Sequence, residues 1–445
     1  MSRRVSPVLH AFGGAATALA VGAAGVGFVA DFRLPDGPLQ DIITTESLPR
    51  SGDDFAAWFA DRESAAADAL QTLSPLEVAA LWPDFPRDFV TDLIEERPDV
   101  VGNLEGASYV DRDRANLHRL ASVRQEAVDA QQQALSRLRS STPQVASGIN
   151  LAEADARVEA VDILLSLFDG GPSTAGTPQR HLISLDDSVD GPPLAAISVG
   201  DLDSALYATY FVPGMNSSVL EAEDYLRGVT RIQQASADSA AVLWLGYESP
   251  GPVETVSTAR AEAGALQLGA ALEGYDSYRD TVGLPSELSV LAHSYGSTTA
   301  AIALTGGDYG VSSFVMIGSA GVPSTIGLDD LHVVPGRVYA SEAMADVMAG
   351  NGQFWSGRVN PASAGWGAQL FGSNGTTLDD GTILNAVTAH DVVGSDTDAD
   401  NEKYLGDGTE SLYDIRKIVT GQLHDITPGS KTPSTDAPIL AEAAR

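Results

Sequence analysis

The chain contains no cysteine. Disulfides, thiolate-bound zinc, iron–sulfur clusters and a cysteine nucleophile are therefore excluded. Lysine is almost as scarce, with Lys403, Lys417 and Lys431 the only three. Lys and Arg together number 26 against 60 Asp and Glu, a net charge of −34. Such a surface repels phosphate and argues against a general nucleic-acid binder. It keeps a protein soluble and suits a salty medium, but names no activity. The hydrophobic fraction of 44% is enough for a core, so wholesale disorder is excluded. Long apolar runs are also lacking, with one exception at the amino end.

There, Arg3 and Arg4 precede an uncharged stretch from Val5 to Ala30 dominated by Gly and Ala. Positive residues followed by small apolar ones mark a secretory signal. The alternative is a retained single-span anchor, since about 20 apolar residues at roughly 1.5 Å each cross a bilayer. Either one predicts a secreted protein, or one held at the membrane or cell envelope through its N-terminus. Residues 1–30 form this segment, and a helical region is expected over 31–169. Within it, apolar residues recur at three- and four-residue steps from about Gly52 to Leu167. Ser74-Pro75-Leu76-Glu77 is a helix start. Helices are predicted over Arg112–Leu138 and Glu153–Phe168. This region offers no catalytic cluster; it reads as a bundle packed on something else, or as a lid or partner-binding module. Residues 170–178, rich in Gly, Pro, Ser and Thr, read as a linker.

From 179 to 426 the period changes, and short apolar runs alternate with helical stretches, the pattern of a parallel sheet wrapped by helices. Strands are predicted at Ala205–Val212, Ala240–Leu245, Leu288–Ala292, Ser313–Ile317 and Val338–Ala340, with Ile383–Val387 as the last. A long helix is expected from about Val256 to Leu272, and Ser217 or Ser218 is placed to cap the helix after the first strand. Residues 427–445 read as a loose tail.

The most informative motif follows the third strand: Ala292-His293-Ser294-Tyr295-Gly296-Ser297. A serine between small residues, after an apolar strand and before a helix, is a nucleophile elbow. The sharp turn holds the serine in a strained conformation, and bulk two residues away would strike neighbouring elements. Ser294 is thus the candidate nucleophile, and it needs a base and an orienting acid in the order Ser, acid, His. Among seven histidines, His390 and His424 lie late enough, and His390 follows the predicted last strand. His293 is expected to pack or bond locally. Asp346 is the candidate acid in the loop after Val338–Ala340, with Glu342 second. The oxyanion hole is expected from the backbone N–H of Tyr295 and that of Met215, in Pro213-Gly214-Met215-Asn216.

Val212–Asn216, Trp244-Leu-Gly-Tyr247, His293–Ser297, Gly318-Ser-Ala-Gly321 and Gly408-Thr-Glu-Ser-Leu412 together resemble an actinobacterial α/β-hydrolase family catalogued as a domain of unknown function. Val101-Gly-Asn-Leu-Glu-Gly106 and Arg114-Ala-Asn116 resemble the helical region that precedes the hydrolase part in that family. Ala292 departs from its usual glycine. The resemblance implies an α/β-hydrolase fold and a serine-hydrolase role for Ser294, Asp346 and His390. The expected activity is hydrolysis of a small-molecule or lipid ester, neutral rather than anionic, without metal or organic cofactor. Acyl transfer by the same residues and a non-catalytic scaffold are the alternatives.

Overall fold

The computed structural model describes residues 63–140, 150–169, 178–363, 365–394 and 400–429. The amino-terminal apolar segment, nearly all of the predicted linker and most of the predicted tail lie outside these residues.

Helices α1 (Glu63–Leu70), α2 (Pro75–Leu81), α3 (Arg87–Glu96) and α4 (Pro98–Val101) precede the long α5 (Tyr109–Ser140) and α6 (Leu151–Phe168). Helix α2 begins as its sequence dictates. The Ser74 hydroxyl accepts from the Glu77 N–H, the Glu77 carboxylate accepts from the Ser74 N–H, and Pro75 needs no donor there. A cap of this kind contributes about 1 kcal/mol. Helix α5 is capped from a distance: the Asp203 carboxylate accepts from the N–H groups of Tyr109 (2.8 Å) and Val110 (3.0 Å). Trp82, Phe85, Val90, Leu93, Val101 and Ala115 belong to this region's own apolar cluster.

The strands are β1 (Arg180–Asp186), β2 (Leu194–Val199), β3 (Tyr207–Val212), β4 (Ser239–Leu245), β5 (Glu287–His293), β6 (Val311–Ile317), β7 (Val338–Ser341) and β8 (Gln369–Leu370). They form one sheet in the order β1-β2-β4-β3-β5-β6-β7-β8. From β4 to β8 all pairs are parallel, while β2 runs against both of its neighbours. Helices α7 (Ala222–Gln233), α8 (Ala259–Val282), α9 (Gly296–Gly306), α10 (Val347–Ser356) and α11 (Glu410–Val419) complete the part built on this sheet. Leu268, Leu272, Ala300 and Leu304 of α8 and α9 cover one face of the sheet. Leu164, Leu226, Ile232, Ile415 and Ile418 of α6, α7 and α11 cover the other. Strands between two apolar layers bury both faces, which is why β4 is buried at all seven positions.

Three expectations need correction. Ile383–Val387 is not the last strand of the main sheet: β9 (Asn374–Thr377) and β10 (Ile383–Ala386) pair antiparallel as a separate hairpin, and β8 ends the sheet. The helix expected to stop near Leu272 continues to Val282, because Gly274 lets it pass the Glu105–Gly106 loop and Tyr275, Tyr278 and Arg279 are buried beyond it. Strands β1 and β2 were not expected. They form the edge against which the helical region rests, and α5 lies along β1.

The motif residues of the helical region make this join. Asn116 donates to Gly102 O (2.9 Å) and Leu182 O (2.8 Å), while Asn103 donates to Leu185 O (2.8 Å) and accepts from Leu185 N–H (2.9 Å). Any side chain at Gly102 would collide with the Asn116 amide. Asp113 binds the Leu182 N–H (2.7 Å) and faces His181 Nδ1 (3.0 Å). No helix among the described residues is long and apolar enough to cross a membrane.

Candidate active site

Strand β5 delivers Ser294 at the carboxyl edge of the sheet, between its own end and the start of α9. Ser294 has φ +52°, the left-handed region a side chain normally avoids. Such strain, of order 1–3 kcal/mol, persists only where the surroundings enforce it. Here the end of β6 does so. Ser294 N–H donates to Ile317 O (3.2 Å), and Ser294 O accepts from the N–H of Ala320 (3.1 Å). A Cβ on Gly296 would fall 2.5 Å from Pro213 O and closer still to Val212 O. A Cβ on Gly214 would stand 2.7 Å from Ser294 Cβ and 3.1 Å from its Oγ. Both glycines are thus required by close approach.

The remaining candidates converge from sequence separations of up to 96 residues. His390 Nε2 lies 2.9 Å from Ser294 Oγ. His390 Nδ1 lies 2.9 and 2.8 Å from the two carboxylate oxygens of Asp346. Asp346 also caps α10, accepting from the Ala349 N–H at 3.1 Å. One buried carboxylate thus caps the helix and faces His390 at once. Burial pushes its pKa up, but the hydrogen bonds and charge of His390, with the Ala349 and Tyr404 donors, hold it below the ordinary carboxylate value.

Glu342 does not join this line. It is buried and accepts from Gln353 Nε2 (2.9 Å) and Asn360 Nδ2 (2.8 Å), and burial with the nearby Asp346 charge pushes its pKa up to about 7. His424 sits exposed on a short turn. Among the described residues no group of three or more His, Asp or Glu is arranged to hold a metal.

Three supporting residues escaped the sequence reading in whole or in part. Tyr404, fully buried, donates its hydroxyl proton to Asp346 Oδ2 (2.9 Å) and accepts from the Ala343 N–H (3.0 Å). His293, expected to bond locally, donates from Nε2 to the carbonyl oxygen of His390 (2.8 Å), 97 residues away. Burial and the His390 charge push the His293 pKa down to about 3, so it serves as a neutral donor. Arg358 lies 5.0 Å over the Tyr295 ring and donates to Thr298 Oγ1 (3.1 Å) and to Thr255 O, tying the elbow helix to the neighbouring loop.

The loop holding Met215 is also fixed. Ser217 Oγ donates to Gly214 O (2.7 Å), and the Asn216 N–H donates to Pro250 O (3.1 Å), with Asn216 at φ +55°. Neither the Met215 N–H nor the Tyr295 N–H has an acceptor among the described residues. Tyr295 precedes the first turn of α9, where N–H groups and the helix dipole favour negative charge.

An alpha/beta hydrolase family model matches residues 190–354, which include Met215, Ser294, Tyr295 and Asp346 but not His390. The uncharacterized protein Mb0988c of Mycobacterium bovis is 30% identical over 193 residues, covering 39% of this chain and 70% of the relative. The uncharacterized protein Rv2079 of Mycobacterium tuberculosis is 26% identical over 295 residues, 62% of this chain and 44% of the relative. The chain thus spans less than half the length of the latter relative. Among solved structures, a thermostable esterase from Pseudomonas putida matches at 13% identity and a TM-score of 0.32, over 66% of this chain and 96% of that one. On the family model, the mycobacterial relatives and the sheet topology, the chain belongs to an actinobacterial α/β-hydrolase family.

Proposed function

We propose that the protein is a serine hydrolase that cleaves neutral carboxylic esters outside the cytoplasm. The observation that carries this reading is the hydrogen-bonded line from Ser294 Oγ through both nitrogens of His390 to Asp346. Ser294 attacks the acyl carbon while His390 Nε2 removes the hydroxyl proton. Asp346 accepts from Nδ1–H, selects the tautomer with Nε2 free to accept, and stabilises the imidazolium that forms. The oxyanion is received by the Met215 and Tyr295 N–H groups. His390 then protonates the leaving alcohol. In the second half, His390 activates a water molecule that attacks the acyl-enzyme and releases the acid.

An acyl ester is the substrate class these parts serve without a further group. The net charge of −34 favours neutral over anionic esters. The location rests on the Arg3–Arg4 pair and the apolar stretch after it. A panel of chromogenic esters of varied chain length, run on the wild type and on Ser294→Ala, tests the reaction. Turnover on at least one neutral ester, reduced at least about 1000-fold by Ser294→Ala, is expected. Turnover indifferent to that substitution would sink the mechanism.

A further inference from the structure

The segment that supplies Asp346 has an unusual surface. From Ala343 to Gly357 the only charged residue is Asp346, and it is buried. In a chain with 19% charged residues, about three would be expected over that length. The outward side chains are large and apolar instead: Met344 is 78% exposed, Trp355 69%, and Val347, Met348 and Phe354 between 38% and 50%. The opposite face of α10 lies against the active-site loop. Gly352 faces Ala320, whose N–H holds Ser294 O, and Gln353 Nε2 donates to Ser319 O (2.8 Å). The short turn at 254–256 packs beside α10 and extends the face with Val253 (89% exposed) and Val256. Its one carboxylate, Glu254, is folded back onto the Gly251 N–H (3.0 Å) and toward Arg260 (3.5 Å).

Contiguous exposed apolar surface of this kind marks an interaction site. Charge decides the occupant. The two segments hold no cation for an anionic headgroup, and a chain of −34 is repelled by an anionic surface. They also offer no free carboxylate to pair with a basic protein. Aromatic and thioether side chains free of charge complement a neutral lipid phase.

We propose that Met344, Val347, Met348, Phe354, Trp355 and Val253 seat the protein on the surface of a neutral lipid-ester phase, so that Ser294 receives acyl esters presented there. This names the substrate class of the proposed hydrolase and rests on that reading. The exposed position of this face, on the helix whose first residue is preceded by Asp346, puts the docked surface next to the reacting residues.

The test is flotation of the full chain with triolein emulsion droplets coated with phosphatidylcholine. It is run in a Ser294→Ala background so that nothing is consumed. The chain is expected to float, and Trp355→Asp and Met348→Asp each to weaken partition about tenfold or more. Both positions are exposed, and matching thermal melts establish that the variants fold. Leu284→Asp provides the control. Leu284 is a half-exposed residue at the opposite edge of the sheet, and this change is expected to leave flotation unaltered. Absence of flotation overturns the proposal, as does flotation unaffected by Trp355→Asp and Met348→Asp, which would assign lipid binding elsewhere in the chain. A dimer in sedimentation that Trp355→Asp dissociates, with lipid partition unchanged, also overturns it and assigns the face to a second copy. A chain that floats but hydrolyses no ester sinks the proposed reaction alone; one that hydrolyses soluble esters and does not float sinks the docking face alone.

Discussion

Removing one oxygen atom from Tyr404 tests how the acid is held. Tyr404→Phe keeps the ring, which lies 3.0 Å from the position of a Cβ on Gly318, and deletes two hydrogen bonds. The bond to the Asp346 carboxylate is charge-assisted and contributes about 1.5–3 kcal/mol; the orphaned Ala343 N–H costs about 1–3 kcal/mol more. A stability loss of about 2.5–6 kcal/mol is therefore expected. The catalytic effect is smaller. The carboxylate keeps the His390 and Ala349 donors, so it stays ionised and in place. At the plateau the rate should fall by no more than about tenfold. The assay is kcat/KM for a soluble neutral ester between about pH 5 and 9, beside thermal melts. A stability loss below about 1 kcal/mol, or a plateau rate lowered by more than about 100-fold, is the contrary result. That result would refute the argument.

Gly214→Ala places a methyl group 2.7 Å from Ser294 Cβ, so either the serine or the Met215 loop must shift. Turnover should drop about 100-fold or more, with a melting temperature within a few degrees of the wild type; calorimetry and kcat on one preparation check both. Glu342 gives a pH-dependent stability. Its carboxyl is pushed up to about 7 by burial, above the ordinary value of 4.5. The folded state therefore holds more protons than the unfolded state between about pH 4.5 and 7, and stability falls as pH rises through that window. Glu342→Gln should flatten this fall and gain about 1–3 kcal/mol at about pH 8, read from urea unfolding at several pH values. Wild-type and variant curves that run parallel across that window would contradict it.

Much of the site is legible in the sequence because its constraints are local. Ser294 is marked by Ala292 and Gly296, and the structure shows why: the elbow passes within reach of Val212, Pro213 and Gly214, which leave no room for larger residues. Asp346 is reachable through chain order and its place after β7, and His390 through chain order alone, since the strand before it belongs to a separate hairpin. What the sequence hides is pairing across long separations. Tyr404 resembles any buried tyrosine until it is seen against Asp346, 58 residues earlier. His293 is visible as a neighbour of the serine, but its acceptor lies on the loop of His390. Strands β1 and β2 are hidden for a similar reason. Arg180–Asp186 opens with Arg and His and carries Ser184, because this edge is joined to the helical region by polar bonds to Asn103, Asp113 and Asn116. The apolar period that betrays a central strand is diluted there. Ile383–Ala386 has strand character, but its partner is a four-residue hairpin arm, a choice set by the turn between them rather than by hydrophobicity.

The central claim is that Ser294 is a nucleophile activated by His390. Its most direct test is labelling with a fluorophosphonate, followed by intact mass and peptide mapping. A single adduct on Ser294 is expected, forming about 100-fold or more slowly in His390→Ala and not at all in Ser294→Ala. An unlabelled wild-type chain, or an adduct on another residue that persists in Ser294→Ala, would contradict it.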